Sequence, residues 1–168
     1  GRGHQVYYSY SLTTQLMQRF SLQPELENFT LKGVRLEGTF ARYNYLRRWR
    51  DERAHGRSVA QQVRDFRPDV VLSANTPLDA QKLVLSASRE VGAKFVFWMQ
   101  DAIGLATQNA LSSSIPLIGN FIGDHYLRLE RSLVKASDKV IVISEDFLDY
   151  LRGWGVEPAR VHVIPNWA

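Results

Sequence analysis

Apolar residues along this chain fall into short unbroken runs, separated by longer stretches in which they recur every third or fourth position. The plainest run is Lys94-Phe95-Val96-Phe97-Trp98-Met99-Gln100-Asp101, whose bulky, partly β-branched residues predict a central strand buried on both faces. Val70-Val71-Leu72 and Lys139-Val140-Ile141-Val142-Ile143 predict two more buried strands. Between them, Ala80, Leu83, Val84, Ala87 and Val91 mark one face of a helix that opens at Pro77 and ends at Gly92. A second stripe, Tyr126, Leu129, Leu133 and Ala136, stops at Ser137-Asp138. Upstream, Ser58-Val59-Ala60-Gln61 fits a capping box at the start of a helix carrying Val59, Val63 and Phe66, which Pro68 ends. Gln5–Tyr10 reads as a strand, Thr30–Leu36 as a strand at or near an edge, and Arg160–Ile164 as a last short strand. Ser11–Phe20 fits a loop with a short helix. Strands alternating with helices through short loops predict an α/β fold with a doubly wound, mostly parallel sheet and right-handed crossovers.

One stretch breaks the pattern. Ala102–Gly123 mixes Ser112-Ser113-Ser114, Pro116, Gly119 and Gly123 with Leu111, Ile115, Leu117, Ile118, Phe121 and Ile122, and reads as an irregular loop. A loop this apolar is tucked into a groove or faces something greasy.

With 168 residues, 45% of them hydrophobic, the chain suffices for one soluble globular domain over 1–168. The absence of cysteine excludes disulfides and thiolate metal sites. His4, His55, His125 and His162 lack metal-ligand spacing, so neither metal nor cofactor is expected. No apolar run approaches the roughly 20 residues that cross a bilayer, and a cytoplasmic location is expected. Charge is uneven: the first 67 residues hold 12 of the 21 Lys and Arg but 6 of the 17 Asp and Glu. Arg42–Arg53 interleaves arginines with Tyr43, Tyr45, Leu46 and Trp49. Such a segment suits an anionic membrane surface, with Arg47, Arg48 and Trp49 as the contacts, or else a solvated helix whose Trp49 packs on the sheet. No nucleic-acid motif accompanies the charge, and nucleic acid is not expected as a partner.

In open α/β sheets, ligands bind outside the carboxyl ends of the strands. Here the strands end in Ser73-Ala74-Asn75-Thr76, Gln100-Asp101 and Ser144-Glu145-Asp146. Asn75, Thr76, Gln100 and Asp101 are therefore the binding candidates, with Asp101 the candidate catalytic group or, alternatively, a cap on the following loop or helix. Ser144 suits a helix cap as well as a ligand.

Ser137-Asp138-Lys139-Val140-Ile141-Val142-Ile143-Ser144-Glu145, followed by Gly155-Val156 and Val161-His162-Val163-Ile164-Pro165-Asn166-Trp167, resembles the end of the N-terminal domain of a group 1 (family 4) glycosyltransferase. Gly3-His4-Gln5-Val6, Arg67-Pro68-Asp69-Val70-Val71 and Gln100-Asp101 resemble further landmarks of that domain, and Glu130 a glutamate frequent in it. Residues 11–66 and 102–123 carry little of the likeness. Phe97-Trp98-Met99-Gln100-Asp101 looks most like bacterial transferases that build capsular or exopolysaccharide units, although many relatives carry a histidine near Gln100.

The resemblance implies one Rossmann-like half of a GT-B fold, lacking its first strand, in a fragment of a longer protein and inactive alone. It further implies a retaining, metal-independent transfer from a nucleotide-sugar, bound mainly by a C-terminal domain, to a sugar or lipid-linked acceptor held here. Ser144 and Asn166 would face the donor side. A sugar-nucleotide epimerase half and a non-catalytic Rossmann-like binding module remain as alternatives.

Overall fold

The structure, a computed structural model, describes residues 3–12, 27–35, 45–74, 76–114 and 116–166; the side chains at 12, 35, 45, 46, 48, 109–114 and 116–118 lie outside that description. Its strands are β1 (Val6–Leu12), β2 (Phe29–Arg35), β3 (Val70–Ala74), β4 (Lys94–Met99), β5 (Lys139–Val142) and β6 (Val161–Val163). The helices are α1 (Tyr45–Phe66), α2 (Leu78–Glu90), α3 (Ile103–Ser114), α4 (Pro116–Ala136) and α5 (Asp146–Gly153). Every strand pair is parallel. The pairs form two sheets rather than one: β1-β2, and a four-stranded sheet in the order β3-β4-β5-β6. α1 connects the two by packing on β1, β2 and α2, with the Phe66 ring 5.1 Å from that of Tyr7.

Each step from β3 to β6 moves one place in the same direction, so right-handed crossovers put the intervening helices on one face. The core forms there: Phe95, Phe97 and Met99 of β4 and Val140 and Val142 of β5 pack with Val84, Leu129, Leu133 and Leu151. The opposite face is more open. Val70 and Leu72 are 56% and 52% exposed, and Val96, Trp98 and Ile141 are half-buried. Of the strands expected to be buried on both faces, β4 and β5 are thus fully buried on one, and β3, with a single hydrogen-bonded neighbour among the described residues, is the least covered, its Val71 only half-buried.

Two helical regions differ from the sequence expectation. α1 begins at Tyr45 and passes through Ser58 without a break, so Ser58 stands on an exposed mid-helix position instead of capping an N-terminus. Ala102–Gly123, expected as a loop, is a helical hairpin made of α3 and the first turns of α4. Its glycines serve contact, not turning. A Cβ at Gly104 would stand 2.8 Å from Glu130 Oε2 and 2.9 Å from Leu127 Cα, and one at Gly123 would stand 2.6 Å from Gln108 Cα. Pro116 opens α4 at a position where a missing amide hydrogen costs nothing.

The long helices run side by side in register. Arg53 pairs with Asp79 at 3.7 Å and Arg64 with Glu90 at 2.7 Å, which makes α1 parallel to α2. Tyr126 donates to Asp79 at 3.2 Å and Arg89 to the Ala136 carbonyl at 2.6 Å, which makes α4 parallel to α2. At the amino edge of the sheet, Asp138 accepts from the Phe95 amide at 2.8 Å and pairs with Arg89 at 2.6 Å and Lys94 at 3.3 Å. Partial burial opposes its charge, but the amide and the two cations prevail and hold its carboxyl down at about 2. The motif aspartate is thus a bracket joining β4, β5 and the end of α2.

Candidate functional site

Parallel pairing brings the carboxyl ends of the four strands to one edge. Ala74 lies opposite Trp98, and Met99 opposite Val142, so the chain leaves β3, β4 and β5 at neighbouring points of that edge. The Ile164 amide donates to the Val142 carbonyl at 2.8 Å, and Asn166, exposed, follows two residues later. The edge therefore gathers Thr76, Gln100, Asp101, Ser144 and Asn166; Asn75 lies outside the described residues.

Their surroundings differ. Thr76 Oγ1 donates to the Ala74 carbonyl at 3.1 Å and accepts from Ser73 Oγ at 3.3 Å, while the Thr76 carbonyl accepts from Gln81 Nε2 at 3.0 Å. Its side chain shapes the turn into α2. Ser144 Oγ accepts from the Asp146 amide at 3.1 Å and donates to the Asp146 carboxylate at 2.7 Å, which caps the first turn of α5. Gln100 is half-buried at the end of β4 and has bonding partners. Asp101 is exposed, one residue before the Ala102 carbonyl that accepts the first helical bond of α3, from Ala106 at 2.9 Å. A carboxylate so placed is accessible to a ligand and sits by the positive end of a helix dipole. Arg47 and Trp49 are exposed on the first turns of α1, and the Arg48 side chain lies outside the described ones. Among the described residues, no three His, Asp or Glu side chains are grouped so as to hold a metal ion.

Beneath Asp101 lies a group whose part in the site sequence reasoning missed. Glu130, on α4, is fully buried, and its Oε2 accepts from the Gly104 amide at 3.0 Å. Burial pushes its carboxyl up to about 7, against the opposing pull of the Gly104 and Ile103 amides. Oε1 is buried with no hydrogen-bond partner among the described residues, as is the Tyr150 hydroxyl. Burial, helped by the nearby Glu130 charge, pushes that phenol up to about 12. Glu130 thus holds the amino end of α3 and, through it, the turn that carries Gln100 and Asp101. The available signal was a carboxylate within the apolar stripe Tyr126, Leu129, Leu133, Val134.

A parallel, Rossmann-like sheet with its polar residues gathered at the carboxyl edge defines the class: one of the two halves from which GT-B enzymes are assembled. Residues 13–167 match the family described as Glycosyl transferase 4-like domain. The chain belongs to that family, the N-terminal domains of group 1 glycosyltransferases. Among solved structures it is similar to HepE of Anabaena in complex with UDP and glucose, at 15% identity and a TM-score of 0.50 over 83% of this chain and 32% of that one. HepE in complex with UDP aligns at 14% identity and a TM-score of 0.48 over 82% of this chain and 30% of that one. The chain therefore spans about a third of the length of HepE. A search among curated proteins finds no match.

Proposed function

We propose that this chain is the acceptor-binding half of a retaining glycosyltransferase, working with a donor-binding domain to move a sugar from a nucleotide-sugar onto a polysaccharide precursor or lipid-linked acceptor in the cytoplasm. The observation that carries the reading is the carboxyl edge, where Gln100 and Asp101 meet the turns that follow β3 and β5. Gln100 hydrogen-bonds acceptor hydroxyls there, Asn75 joins it from the neighbouring turn, and Asp101 orients the attacking hydroxyl or takes its proton. The Thr76 hydroxyl is held to the Ala74 carbonyl beside it. Ser144 and Asn166 border the donor side. Aligning two reactants this way is worth roughly 7–11 kcal/mol of barrier, which gives a half without donor chemistry a large share in catalysis. UDP-sugars are the first donors to test, because HepE, whose fold this chain shares, is a UDP and glucose complex.

The test is transfer by the whole protein, with a panel of nucleotide-sugars and acceptors. Asp101→Asn is expected to lower kcat by roughly 10²- to 10⁴-fold if the carboxylate takes the proton, and Gln100→Ala to raise the acceptor KM while leaving the donor KM alone. Release of UDP without any acceptor would point to epimerase chemistry. Full activity of both variants would remove the carboxyl edge from the mechanism.

A further inference from the structure

Three helices with their amino ends at the carboxyl edge differ in length. α2 starts at Leu78, and its second residue, Asp79, meets Arg53 of α1 and Tyr126 of α4. Everything earlier in α1 and α4 therefore overhangs the start of α2, by about 12 Å for Tyr45–Glu52 and about 15 Å for Pro116–His125 at 1.5 Å per residue. α3 runs antiparallel along the second overhang, since Gly104 packs on Leu127 and Gly123 on Gln108. Both projections leave the molecule on the side that holds Asp101.

Their chemistry is complementary. From Ala102 to Gly123 the chain has no charged residue, and within this hairpin Phe121 is 73% exposed, with Ile122 and Leu105 exposed as well. The α1 overhang has no acid in its first turn and carries Arg47, Arg48 and Arg50 ahead of Asp51 and Glu52. A groove along the same helix is lined by Arg47, Trp49, Arg50, Asp51, Arg53 and Arg57, four arginines against one carboxylate, with the Arg53 guanidinium 4.8 Å from the centre of the Trp49 ring. Phe121 lies five residues inside the start of α4, about 8 Å from it, which matches the roughly 5–10 Å to which interfacial elements sink into a bilayer.

We propose that the exposed apolar surface around Phe121 and Ile122 on the α3–α4 hairpin inserts into the surface of an anionic phospholipid bilayer while the arginines of the α1 overhang engage lipid phosphates, holding the acceptor edge against the membrane. The hairpin supplies depth and α1 supplies selectivity for negative lipid. No helix among the described residues is long and apolar enough to span a bilayer, so the attachment is to one leaflet. The inference deepens the acceptor-side reading by giving a lipid-linked acceptor its route of approach, and adhesion is measured without turnover, so each can fail separately.

The experiment is sedimentation of the whole protein with phosphatidylcholine vesicles, with and without a third of phosphatidylglycerol. Wild type is expected to pellet with the anionic vesicles. Phe121→Glu, at an exposed position where folding is unaffected, is expected to bind at least about tenfold more weakly. Arg47→Glu and Arg50→Glu are each expected to cost about fivefold or more, and only on anionic vesicles. An unchanged melting temperature in each variant, with transfer to a water-soluble acceptor retained, would confine the effect to adhesion. Absence of wild-type binding, equal binding to both vesicle types, or undiminished binding by Phe121→Glu would overturn the proposal.

Discussion

Replacing Glu130 by glutamine changes one charge where α4 packs on the amino end of α3 and keeps an oxygen to accept from the Gly104 amide. In the wild type the carboxyl titrates near 7 when folded against an ordinary value of 4.5, a gap equivalent to about 3 kcal/mol. Because the folded value is the higher one, the stabilisation is complete below about pH 4.5 and is lost as pH rises through 7. Urea unfolding at intervals from pH 4.5 to 8 should therefore show a term falling by about 3 kcal/mol in wild type and none in Glu130→Gln. His55 acts in the opposite sense, since burial lowers its value below 6.5 and its contribution is lost as pH falls. That histidine is common to both proteins, so the difference between the two curves isolates Glu130. The absolute stability of the variant is a poorer guide, because the new amide hydrogens need acceptors and the Tyr150 hydroxyl can supply one. Parallel curves for the two proteins would mean that Glu130 is ionised or solvated throughout and does not bridge the helices as described.

Gly104→Ala places a methyl against Leu127 Cα and the Glu130 carboxylate and should cost about 1–3 kcal/mol, with faster amide exchange at the start of α3. Asp138→Asn removes charge from the bracket at the amino edge, and chemical denaturation at pH 7 should show a loss of about 2 kcal/mol that fades as pH falls from about 4 to 2, where the wild-type carboxylate is itself protonated. Ser144→Ala should lower stability by about 0.5–2 kcal/mol through the α5 cap, with no change in nucleotide-sugar affinity if capping is its whole function.

Strand β4, helix α2 and strand β5 were legible because local pattern and tertiary environment agree there: apolar runs form interior strands, and α2 sits on its apolar stripe. The failures share a cause in glycines whose purpose lies in another helix. Gly56 is buried against Ala80, where an added Cβ would stand 2.6 Å from its Cα, so α1 continues through a residue that weakens helices in isolation. Gly104 and Gly123 do the same for the α3–α4 pair, and sequence periodicity has no access to a partner so far along the chain. The carboxyl-edge candidates were legible from strand ends alone, whereas the attachment of their turn to Glu130 depends on a contact 26 residues distant.

The Asp138 bracket has a consequence for how such a domain can change over time. Its multivalent ionic joint fastens strands and helix at one rim, while the opposite rim carries Thr76, Gln100 and Ser144 beside the exposed acids Asp101, Glu145 and Asp146. Substitutions can therefore accumulate at the second rim without loosening the first. The architecture accordingly stays recognisable at an identity as low as 15%.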